Sequence, residues 1–123
     1  MADPTTPLPE AKAAYEAALA ASDKAQDIKV AILGVIPIDW SASDSADAAA
    51  AKTRTASDAA LGVYQAAILN TPEVAALIVQ LNTETATMTA RAAALKAEKA
   101  LLDQLAAGAE TMTKILGAIA THV

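Results

Sequence analysis

Glu84, Arg91 and Glu98 stand one heptad apart and are the charged residues whose spacing most suggests a function. On one helix such a row forms a charged layer that can set the register of a partner helix. The plainer reading, which carries more weight, is a solvated edge where the seam drifts out of the core. Around them, Asn82-Thr83-Glu84-Thr85-Ala86-Thr87-Met88-Thr89 alternates polar and apolar residues as a strand would. Thr83, Glu84, Thr87 and Arg91 could there supply the polar side of a ligand-sensing pocket. The favoured expectation is that the segment stays helical, its Thr hydroxyls bonding back to carbonyls one turn earlier and slightly weakening the helix.

Beyond these residues the text for chemistry is sparse. A carboxylate-bridged metal centre in a bundle needs paired Glu-x-x-His motifs on facing helices, and the chain has a single histidine, His122, next to its end. There is no Gly-rich phosphate loop, nucleophile elbow or zinc-binding helix motif, and no cysteine for a thiolate nucleophile or ligand. The expectation is therefore a protein that is not an enzyme, with no catalytic residue, no metal ligand and no cofactor. Trp40, flanked by Val35, Ile36 and Ile38, is the sole tryptophan and a candidate interface anchor. The commoner use of such a cluster is to plug the end of a bundle.

The elements that position these residues follow from composition. The 123 residues are 54% hydrophobic but only 2% aromatic, with no phenylalanine and four glycines. Alanine dominates, so helices form readily while each buried position removes little area from water. An all-α, Ala-rich bundle in one domain over residues 9–123 is expected, preceded by a flexible N-terminal arm over residues 1–8 that carries Pro4 and Pro7, with Pro9 following at the first helical turn. The net charge of −5 opposes a nucleic-acid role. The longest apolar run, Val30–Ile38, is too short to cross a bilayer, so no transmembrane segment is expected. With no basic and apolar leader after Met1, a cytoplasmic location is the expectation.

The first helix is expected from Pro9 to about Ile36, with Ala11, Ala14, Ala18, Ala21, Ala25, Ile28, Ile32 and Val35 on one face. Gly34 and Pro37 end it, leaving Trp40 in a loop. Serines and Asp44 then offer caps for a second helix to about Leu69, whose inner face is Ala46, Ala49, Thr53, Ala56, Ala60, Val63, Ala67 and Ile68. The short link at Asn70 implies that the second and third helices are antiparallel neighbours or meet at a sharp corner. Thr71-Pro72-Glu73 starts the third, with a cap, a proline where no N–H is needed and an acid at the positive end of the dipole. From Val74, a seven-residue step lands on Leu81, Met88, Leu95, Leu102, Ala109, Leu116 and Val123, which predicts one continuous helix of roughly 75 Å.

Two helices of about 40 Å cannot cover a third of that length. The uncovered half would then expose Leu102, Leu105, Met112, Leu116 and Ile119, a patch too apolar for a soluble monomer. Three helices with a long C-terminal helix that pairs with a second copy or a helical protein partner is thus the first expectation, with Trp40 as a further contact. The competing outcome is a break near Gly108 and a fourth helix that folds back over the same surface. The matching function is a structural or adaptor protein that self-associates or binds a partner helix. The alternatives are an amphipathic binder of lipid or polymer-granule surfaces, disfavoured by the acidic charge for anionic membranes, and the ligand-sensing bundle.

Overall fold

The computed structural model describes residues 4–5 and 8–123, so the expected arm over residues 1–8 lies largely outside the described residues. Four helices build an all-α bundle: α1 (Pro9–Leu33), α2 (Trp40–Gln65), α3 (Pro72–Ala93) and α4 (Lys99–Ala120). Two dipeptides, β1 (Pro4–Thr5) and β2 (Ile68–Leu69), pair antiparallel at one end. In cross-section the order is α1, α2, α4, α3, with each helix packed on its two neighbours and α1 barely touching α4 across the diagonal. The link from α2 to α3 therefore crosses the diagonal, and these two helices are not the neighbours that its shortness implied. Ile68 on that link is fully buried and, with Leu8, closes this end of the bundle. The Leu69 N–H donates to the His122 carbonyl at 2.8 Å and ties the end of the chain to the same closure.

α1 and α2 meet through small residues. Ala11, Ala14, Ala18, Ala21 and Ala25 face Ala42, Ala46, Ala49, Ala56 and Ala60, all at most 1% exposed. Without side chains beyond Cβ the two backbones can approach near the lower end of the 8–10 Å range. Among the described residues, Ser22, Ser43, Ser45, Thr53 and Ser57 are buried hydroxyls, and three of them lie along the middle of the seam. Ser22 donates across the seam to the Ala50 carbonyl at 3.0 Å, Thr53 donates to Ala49 at 2.6 Å, and Ser57 has no protein partner. The start of α2 lies earlier than its serines suggested. Asp39 accepts from the Ala42 N–H at 3.0 Å, which places Trp40 in the first turn of the helix and not in a loop. The helix also stops at Gln65, because the chain must straighten at Ile68 to pair with β1.

The long third helix is interrupted. α3 starts as its residues dictate, with Thr71 accepting from the Val74 N–H and Pro72 in the first turn. It ends at Ala93, and α4 starts at Lys99 without a side-chain cap. No proline or glycine marks this corner, since residues 94–98 read Ala-Leu-Lys-Ala-Glu. The break lies here and not at Gly108, which sits buried inside α4. Unwinding a few good helix formers costs a few tenths of a kcal/mol each in propensity, whereas burying each large aliphatic side chain of α4 contributes about 1.5–3 kcal/mol. Burial decides the outcome. Leu95 turns inward at the corner and is 6% exposed.

The seven-residue stripe survives this break. Val74, Leu81, Met88, Leu95, Leu102, Ala109 and Leu116 are all buried, although they lie on two antiparallel helices and the corner between them; only Val123, beyond the end of α4, is exposed. An unbroken phase records which residues face the core and does not require one straight helix. Arg91 explains the position of Gly108: a Cβ on Gly108 would come within 2.6 Å of the Arg91 Nη1. The guanidinium crosses α4 there and donates to the Gln104 carbonyl at 3.3 Å.

Packing this tight separates two kinds of enlargement. Ala18→Leu and Ala56→Leu force bulk between close backbones and should each cost about 1–3 kcal/mol or more, seen as a lower melting temperature. Gly62→Ala should raise stability by about 0.5–1 kcal/mol, because Gly62 lies in α2 with an ordinary backbone and nothing within 4 Å of its missing Cβ.

Candidate interaction surface

The residues that could have carried chemistry are spent on structure. The hydroxyls of Thr83, Thr85, Thr87 and Thr89 donate to the carbonyls of Val79, Leu81, Thr83 and Thr85 at 2.8–3.1 Å, so the strand-like text is helical and its hydroxyls serve the helix itself. Glu84 and Arg91 lie along the half-exposed edge of α3, and Glu98 is an exposed residue at the corner. The charged row thus follows a solvated edge, and its phase enters the core only at Leu105, Met112 and Ile119. Among the described residues no group of three His, Cys, Asp or Glu side chains could hold a metal ion. No helix is long and apolar enough to cross a membrane.

The six residues expected at an interface divide. Leu102, Leu105, Met112, Leu116 and Ile119 are each 0% exposed within the single chain, covered by α2 and α3. The premise that half a helix lacked a cover fails once the chain turns back at residues 94–98, where these five side chains are buried within the single chain. Trp40 behaves otherwise. It is 63% exposed, and it does not plug the bundle.

Trp40 belongs to an apolar corner. Among the described residues, Val30, Leu33, Val35, Ile36 and Trp40 are five of the eight large hydrophobics left exposed, and all fall within eleven residues of the α1–α2 turn. Gly34 and Pro37 force that turn, ending α1 and holding residues 34–39 out beyond the helices. Ile36 is 91% exposed at its apex. Beside it lies a recess of about 260 Å³ lined by Ala31, Ile32, Val35, Pro37, Asp39 and Ala97. Ala97 comes from the α3–α4 corner, so the recess exists only because the long helix breaks. Sequence reading singled out Trp40 but took Val35 as part of the inner face. The missed signal was position, since a residue just beyond a helix-ending Gly34 no longer follows that helix's periodicity.

Charge around the corner is largely paired. Lys29 meets Asp47 at 2.8 Å, and Lys99 meets Asp103 at 2.6 Å while reaching Ser45 at 3.4 Å. The Lys99 hydrogen bond, then that from Ser45, holds the Asp103 carboxyl below its usual 3.8. Farther along, Lys52 pairs with Glu110 across a shallow groove between α2 and α4. Compared with protein-family models, curated proteins and solved structures, the chain matches none.

Leu105→Glu and Leu116→Glu should unfold the single chain at every protein concentration, by about 4 kcal/mol or more, because each puts a carboxylate where no water reaches. Thermal melts across a dilution series check this. The Asp103 carboxyl is bound more weakly by protons in the folded chain, so its stabilisation is complete above 3.8 and is lost as pH falls through its lowered value. Asp103→Asn should therefore leave a shallower loss of stability below about pH 4 in acid titrations followed by circular dichroism.

Proposed function

We propose that this protein is a non-enzymatic helical adaptor whose docking surface is the α1–α2 corner. The observation that supports this is the contrast between the two ends of one bundle. At the β1–β2 end the large aliphatics Leu8 and Ile68 are 2% and 0% exposed, and of the described large hydrophobics only Leu69 and Val123 stand in water there, at 37% and 69%. At the other end Val30, Leu33, Val35, Ile36 and Trp40 are all exposed, Ile36 and Trp40 at 91% and 63%. An apolar cluster gathered at one end of the bundle is a surface suited to a partner. The long C-terminal helix of the sequence reading is replaced in this role by the turn it helps to build. Burial of the helices' apolar faces against one another leaves nothing in favour of a lipid or granule coat that opens the bundle. The Thr-rich segment, with its hydroxyls bonded to its own helix, lends no support to ligand sensing.

A diazirine-bearing residue placed at position 36, or at the exposed control position 111 on α4, tests the reading in the cells that make the protein. Irradiation should give a discrete cross-linked product from position 36 and none from position 111. Equal labelling from both, or none from either, overturns the docking role of the corner.

A further inference from the structure

Resting on that reading, we infer that the partner at the corner is a second copy of this chain, docked tip to tip about a two-fold axis. A knob and a hole lie on the same few residues. Ile36 projects from the apex, and Val35 and Pro37 on either side of it line the recess. A surface that carries both halves of a contact is complementary to itself, which is the requirement of an isologous dimer. Ile36 of one copy enters the recess of the other, between Ala31, Ile32 and Ala97, and Trp40 lies over the seam. The volume of about 260 Å³ is ample for one branched aliphatic side chain.

Charge disfavours a lipid occupant. Asp39 lines the recess and accepts from the Ala42 N–H. A lipid surface would meet Asp39 and Asp44 on a chain of net charge −5, without a basic rim to attract headgroups. Area sets the strength. Leu33, Val35, Ile36 and Trp40 leave on the order of 500 Å² of apolar surface in water, and two such patches bury roughly 1,000 Å², at the lower limit for a specific contact. The dimer is accordingly weak and reversible, in the class of small transient contacts.

Sedimentation velocity from about 5 μM to about 1 mM, paired with Trp40 emission over the same range, tests it. The wild type should shift from monomer to dimer while the single tryptophan moves to shorter wavelength as its indole leaves water. Ile36→Asp should weaken association at least about tenfold, and Val79→Asp, on the exposed face of α3, should leave it unchanged. Both sites are exposed, and melting temperatures near the wild type show that the variants fold. A wild type that stays monomeric with constant emission overturns the dimer, and so does association that Val79→Asp abolishes and Ile36→Asp does not. Sedimentation of the monomer with zwitterionic vesicles, lost in Ile36→Asp, would assign the corner to lipid and overturn it likewise. A cross-link from position 36 to a different protein, with a monomeric wild type, would retain the docking reading and reject only self-association.

Discussion

Burial of the α4 aliphatic row is the constraint on which the rest of this molecule depends. Leu102, Leu105, Met112, Leu116 and Ile119 make up most of the large side chains fully removed from water, and α2 and α3 cover them while α1, across the diagonal, backs α2 and α3. α1 and α2 bring mainly methyl groups to the core, which on their own bury too little area to offset the conformational entropy of ordering two long helices. Their part is geometric. Small residues let the pair come close and offer α4 a flat wall, and α3 closes the other side with Val74, Leu81 and Met88. The division explains how a chain with 2% aromatic residues builds a core at all.

The same constraint shapes the two ends differently. At one end the diagonal link carries Ile68 under the bundle, β1 lies against it, and the last residues of the chain are tied to Leu69. At the other end two corners meet without crossing, one at residues 34–39 and one at residues 94–98. Both corners join helices that are neighbours in the bundle, so neither segment passes under its end and the apolar residues of the first remain outside. The recess between them is a consequence of folding α4 back, and it joins the stability of the core to the shape of the exposed surface. A docking role there costs the fold little, because none of the exposed corner side chains holds the helices together.

Much of the fold was legible in the residues. Thr71-Pro72 as a start, Gly34 and Pro37 as a stop, the inner Ala faces of α1 and α2, and the seven-residue stripe all describe what a helix needs locally or which side of it avoids water. Those requirements lie within a few turns of chain, so composition and spacing carry them. The all-α class follows from the same local preferences, since a chain rich in alanine and poor in glycine and β-branched runs has little with which to build a sheet.

The corner at residues 94–98 and the exposure of the α1–α2 turn were decided by tertiary structure alone. Ala94 to Glu98 are good helix formers, and no local rule ends a helix among them; only the free energy of covering five aliphatic side chains outweighs their preference, and much of that cover comes from α2, which is distant in sequence. Likewise Val35, Ile36 and Trp40 read as core material by type. They stand outside because the link that plugs a bundle end crosses at the opposite pole, and residue type carries no information about which pole the chain will close.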